Sequence, residues 1–390
     1  MNIVSKGSFA GTLFVTLAIT FVASPVLAIP PDPNNAALLY YQGFLSLPQL
    51  SQEERVHIGE VARGKIVPDD QVRQNIDKST GAIHFTEAAV KVSVCNWGVE
   101  YSQGFEALMP QMPLVRFMTF VLVADARVRA ADGDYRGALE RCLMTETFAR
   151  HIGDDTMISY LVTISVRAMA YKCMQEIAAQ AADDTELLQW LKNKLATSSI
   201  NTLSPVRPLK IEIEIVNDLM RIDNVEKFAW ILAVSNEKKA MEIVKRADEK
   251  TLEQARQIYS EHMNSALTVL STPMPYEQAH SRLEQLADGF DKNDPVSKTA
   301  GAFMPALGKI FSQKTFVETK ANAIMVGIEI LLDRARTGQL PDALPSGLPK
   351  DVFSGKDFEY EKTKEGFVLR CRDKDLGKKE LYQYQFNLSK

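Results

Sequence analysis

The chain has 390 residues, with 45 Lys plus Arg against 49 Asp plus Glu and a formal net charge of -4. At that length one large core with a smaller module attached is the expected organisation. Basic and acidic residues are interspersed along the chain, so it carries no electrostatic footprint for nucleic acid or an anionic membrane, and no polyanion partner is expected.

The first segment has the pattern of an export signal. Lys6 is its only charge, Phe9 to Val22 is apolar, and Pro25 breaks the run before Val26-Leu27-Ala28, a small-residue cleavage pattern. The expectation is a signal peptide over residues 1–28 and a periplasmic or extracellular mature protein. Retention as an uncleaved anchor is the alternative, because the stretch approaches spanning length. No integral membrane segment is expected after signal removal. Pro113 to Ala124 is apolar for only about twelve residues and is interrupted by Arg116, which suits a buried helix.

Helical signals dominate the middle of the chain. Ser51 with Glu54 forms a capping-box pattern, and Asn96 to Ala107 reads as an irregular crossing that carries Trp97, Tyr101 and Phe105. Pro110 and Pro113 fix the start of a helix whose Leu114, Phe117, Val121, Ala124 and Val128 make one apolar stripe. Asp132-Gly133-Asp134 turns it into the next helix, and Gly133, Tyr135 and Ala138 give Ala124 to Arg150 a resemblance to a tetratricopeptide hairpin. No further copies at the period of about thirty-four residues are present, so the pair reads as an antiparallel hairpin inside a larger helical domain. The helix from Thr156 to Ala179 is apolar on more than one side and is expected to be central and buried. Thr185 to Ala196 and Pro208 to Met263 read as further helices, with Lys245 to Glu261 a solvated face. Thr272-Pro273-Met274-Pro275 then precedes Tyr276 to Phe290, and Asp294-Pro295 opens the final helical section.

The last quarter changes character. Val317, Ala321, Ile324, Ile328, Leu331 and Ala335 follow a helical period, and Gly338 is placed to cap that helix ahead of Pro341. Phe358 and Tyr360 alternate, then Phe367, Leu369 and Cys371, then Tyr382, Tyr384 and Phe386, which predicts three short antiparallel strands. The fold class expected is mainly α: helical hairpins in one large domain over 29–314, and a small C-terminal α+β module over 315–390 made of a long helix plus an antiparallel β-meander.

The order helix, Gly338-Gln339-Leu340-Pro341, Leu348-Pro349-Lys350-Asp351-Val352-Phe353-Ser354-Gly355-Lys356 and a Tyr-bearing strand resembles the soluble half of a type II secretion pseudopilin, over Thr315 to about Arg372. It is also similar to the terminal module of exported bacterial proteins whose upstream portion is helical. The resemblance implies a helix packed on a small meander. It does not extend to polymerisation, since Gly7 is followed by Ser8 and the fifth residue on is Thr12 where the family has Glu. Family members often bind calcium near their end. Here Asp373 and Asp375 stand among Lys374, Lys378 and Lys379, so no calcium ligand carries over.

No phosphate loop, dinucleotide fingerprint, nucleophile elbow or zinc helix occurs, and no catalytic residue or cofactor is nominated. Gly308-Lys309 and Gly355-Lys356 lack the upstream glycine spacing of a phosphate cradle and read as turns. Two Glu-x-x-His pairs, Glu54 with His57 and Glu277 with His280, have the helical spacing that di-metal bundles use, so they are the candidate metal ligands against the reading of ordinary polar residues. His151 with Asp154 and Asp155 reads as helix capping. Cys95, Cys142, Cys173 and Cys371 read as buried thiols, with Cys142–Cys173 the one plausible bridge. The functional expectation is a non-enzymatic exported protein whose helical body binds or scaffolds a partner, an envelope protein or peptide. The alternatives are an exported enzyme with a dispersed, metal-dependent or hydrolytic site, and an accessory factor of a type II secretion-like system.

Overall fold

The computed structural model describes residues 32–107, 109–153, 155–197, 203–231, 233, 248–291 and 293–388. The expected signal peptide lies outside the described residues. Thirteen α-helices and one small sheet are described, so the chain is mainly α with a small α+β end. In chain order the helices are α1 Ala36–Leu45, α2 Gln52–Ala62, α3 Asp70–Lys78, α4 Thr80–Ala89, α5 Gln111–Ala131, α6 Tyr135–Ile152 and α7 Met157–Gln180. They continue as α8 Thr185–Thr197, α9 Val206–Leu219, α10 Glu249–Ser271, α11 Tyr276–Asp288, α12 Pro295–Ala300 and α13 Leu307–Thr337.

Helix starts follow local chemistry. Ser51 and Glu54 complete the expected capping box of α2, and Thr156 with Ser159 makes a reciprocal one on α7. At Gly133 and Gly153 the backbone takes φ of +82 and +81, which lets two tight turns connect α5, α6 and α7. All three helices pack on one another. Because two reversals restore direction, α5 and α7 run parallel and begin at the same end. α2 and α3 pack on α5, α1 packs on α4, and α13 packs on α7, α8 and α11.

The long helical stretch expected over Pro208 to Met263 is broken. α9 ends at Leu219, Met220 is buried, and the Asn224 side chain donates to the Asp218 carbonyl at 2.8 Å. That bond takes a carbonyl away from continued helix and a 3-10 turn follows over Ile222–Asn224. The start of the expected solvated face, residues 245–247, lies outside the described residues. From there α10 is solvated on one face only, with Leu252, Ala255, Tyr259, Met263 and Ala266 buried on the other.

The terminal meander forms as the alternation requires. β1 Glu359–Thr363, β2 Gly366–Arg370 and β3 Gln383–Asn387 are antiparallel neighbours in that order, with Phe367 opposite Phe386 and Leu369 opposite Tyr384. Gly338, at φ +81, caps α13 by donating to the Arg334 carbonyl at 2.8 Å. α13 starts at Leu307, about two turns ahead of Thr315, so residue 315 lies inside a continuous helix. The chain from Asn34 onward is one compact unit.

Candidate binding groove

The Glu-x-x-His pairs stand apart. Glu54 is used by the α2 capping box, and His57 Nε2 sits 3.0 Å from Asp69 Oδ2. Glu277 is exposed, whereas His280 is buried on the same helix with its ring against Tyr276 at 5.6 Å between centroids. α2 packs on α3 and α5, while α11 packs on α10 and α13. Among the described residues no group of three or more His, Cys, Asp or Glu side chains is placed to hold a metal ion.

The other polar candidates are absorbed by the fold. His151 lies in the last turn of α6, where its Nδ1 meets the Tyr40 hydroxyl at 2.7 Å and its carbonyl accepts from Trp97 Nε1 at 2.6 Å. Burial, then the charge of Arg150, lowers its pKa to about 4, so it is neutral at pH 7. Asp154 lies outside the described residues. Asp155 accepts from the Tyr101 hydroxyl at 3.1 Å and pairs with Arg207, while Thr156 caps α7. Trp97 stacks on Tyr40 and Phe44, which makes it a core residue. All four cysteines are free thiols. The Cys142 thiol is buried where α6 packs on α7, and the neighbouring Cys173 thiol, with burial, pushes its pKa well up. The Asp375 carboxylate is taken up by Tyr276, Tyr382 and the amides of Gly377 and Lys378.

The feature that the fold leaves open is a groove of about 760 Å³ between the first halves of α5 and α7. α5 contributes Met112, Pro113, Arg116, Thr119 and Phe120, and α7 contributes Ile158, Leu161, Val162, Ser165, Val166 and Met169. α7 is central and mostly buried, as its composition predicts, but part of its second apolar side is a groove wall, where Ile158 is 54% exposed and Leu161, Val162 and Met169 are half-buried.

Arg63, at the end of α2, closes one edge of the groove. Arg127 Nε donates to the Ala62 carbonyl at 3.2 Å and Lys172 Nζ to the Arg63 carbonyl at 2.7 Å, so two cations tie down the last carbonyls of α2. The Arg63 guanidinium then lies over the Phe120 ring at 4.5 Å, and Arg116 approaches the same ring at 5.9 Å. Neither has an ion-pair partner among the described residues. Elsewhere the interior guanidiniums are paired: Arg141 with Asp125 at 2.6 Å, Arg127 with Glu176 at 2.5 Å, and Arg167 with Glu146 at 3.3 Å. A second crevice of about 520 Å³ beside Trp190 contains Arg129, Arg136 and Arg141, each already paired with a carboxylate.

Sequence reasoning did not nominate this groove. The available signals were Arg116 interrupting an apolar run and the excess apolar surface of α7. Comparison with protein-family models, curated proteins and solved structures finds no match. No helix among the described residues is long and apolar enough to cross a membrane.

Proposed function

We propose that this chain is an exported, non-enzymatic binding protein whose helical body receives an apolar segment of a partner protein in the α5–α7 groove. The observation that carries this reading is the open apolar groove edged by Arg63 and Arg116, two cations with no ion-pair partner among the described residues. Contiguous exposed apolar surface is costly to maintain in water, and a fold that keeps it beside unpaired cations matches an amphipathic partner. Export rests on the Lys6 to Ala28 pattern. The C-terminal helix and meander serve in this reading as a rigid cap behind α7, since α13 and β3 both pack on that helix.

The reading is tested by fluorescence anisotropy of labelled amphipathic peptides titrated with the full chain and with Ser165→Trp, which fills the groove from an exposed position of its wall. Saturable binding to the parent chain is expected, weakened about tenfold or more in the variant with helical content and melting unchanged. Equal binding by both proteins, or no binding by either, overturns the reading.

A further inference from the structure

We infer that the occupant of the groove is an amphipathic α-helix of about three turns that carries carboxylates on the flank facing α2 and α5. This rests on the reading of the groove as a docking site and names the chemistry of what docks there.

Both walls are helices. On α7 the lining positions Ile158, Leu161, Val162, Ser165 and Met169 repeat at helical spacing along about 16 Å, the length of a three-turn helix. Helical walls have satisfied their own backbone groups within each helix, so they offer no row of donors and acceptors to an extended peptide. A strand laid here would bury its own N–H and C=O groups without partners. A helix carries those bonds internally and presents side chains at the i, i+3, i+4, i+7 spacing that the ridges of α5 and α7 accommodate.

The groove is electrically lopsided. Its α7 wall presents apolar side chains and the neutral Ser165, while the opposite edge carries Arg63 and Arg116, both within about 6 Å of the Phe120 ring. A carboxylate on that flank gains two guanidiniums that are already held over a ring and that have no other anion among the described residues, so pairing disrupts no internal ion pair. A basic flank meets like charge.

The test uses three labelled peptides of equal length and identical apolar face, with Glu, Gln or Lys at the flank positions, titrated with the full chain. The Glu peptide is expected to bind about five- to tenfold tighter than the Gln peptide, with the Lys peptide weakest. That preference should shrink at high ionic strength and vanish in the Arg63→Gln/Arg116→Gln double variant. A Pro at the centre of the Glu peptide should abolish binding. Gln and Glu peptides binding alike at low salt, a preference that survives the double variant, or a Pro peptide that binds undiminished each overturns the inference. If the Gln peptide binds as well as the Glu peptide and Ser165→Trp still blocks both, the groove reading stands while the acidic helix falls. If Ser165→Trp leaves binding intact, both fall.

Discussion

Asp375 and Arg116 each carry a full charge beside aromatic rings, yet the molecule treats them in opposite ways. Asp375 is fully buried under the C-terminal loop, where it accepts from the Tyr382 hydroxyl at 2.8 Å, the Tyr276 hydroxyl at 3.2 Å and the amides of Gly377 and Lys378. Tyr276 in turn meets Ser312 Oγ at 2.7 Å and accepts from the Leu376 amide at 3.0 Å, and burial pushes its own pKa up to about 12. Arg116 sits at the rim of an apolar groove, 5.9 Å from the Phe120 ring and with no ion-pair partner among the described residues. A charge that is buried and fully partnered holds elements together. A charge left without a counter-ion on apolar surface costs folding little and remains free for something that arrives later.

The contrast is tested hardest at Asp375. Asp375→Ala removes a fully buried carboxylate that accepts from two tyrosine hydroxyls and two amides, and a loss of about 2–4 kcal/mol in urea unfolding is expected. Asp375→Asn keeps acceptor capacity and should cost roughly half of that. If Asp375→Ala unfolds at the parental midpoint, the loop is not held by its polar knot and the two regions are alike.

A second break point is Gly327, where α13 and β3 meet. A Cβ there would press into the Phe386 ring, and Phe386 is fully buried opposite Phe367. Gly327→Ala should cost about 1–3 kcal/mol by overpacking. Phe386→Leu in the same chain should return part of that loss, a coupling that a double-mutant cycle of melting curves detects. Additive losses would mean that the close approach is not what fixes the glycine.

The same two regions explain how much was legible in the sequence. The meander was readable because alternation of Tyr382, Tyr384 and Phe386 has one structural solution, and Gly338 because a left-handed helix cap strongly favours glycine. Periodicity also located α5, and the Asp132-Gly133-Asp134 turn the start of α6. What periodicity cannot report is which of two apolar sides a neighbour covers. Leu161 and Met169 have the composition of core residues, and they become a surface because α2, which ends at Ala62, and the other described residues leave this part of the α5–α7 seam open. The Glu-x-x-His pairs show the complementary effect. Spacing puts Glu277 and His280 near one helix face, but burial divides them, with His280 in the core and Glu277 in water.

His151 stands between the two extremes, half-buried with one hydrogen-bond partner for its ring, and pH separates its contribution. Its folded pKa of about 4 is below the ordinary histidine value of 6.5, so the folded state binds fewer protons than the unfolded chain between those values. Stability from this group is therefore complete above pH 6.5 and is lost as pH falls toward 4. Because the ring is partly solvated, the expected loss is about 1–2 kcal/mol relative to His151→Gln, read as the difference between their unfolding free energies at pH 7 and pH 4.5. Parallel pH profiles for the two proteins would show that burial and the charge of Arg150 do not hold the ring neutral.

The smallest effect on folding is expected where the effect on binding is largest. Arg63→Gln and Arg116→Gln each remove a cation that has no ion-pair partner among the described residues, and each keeps part of the aliphatic stem. The folded state loses only a partly solvated cation–π contact, so each unfolding midpoint should move by no more than about 0.5–1 kcal/mol. A larger loss from either would place that guanidinium with Asp375 among the groups that hold the fold, and the groove would then lack the free charge that distinguishes it. A small loss together with the disappearance of the Glu-peptide preference would assign the two arginines to recognition, because the charge would matter only when a carboxylate is brought to it.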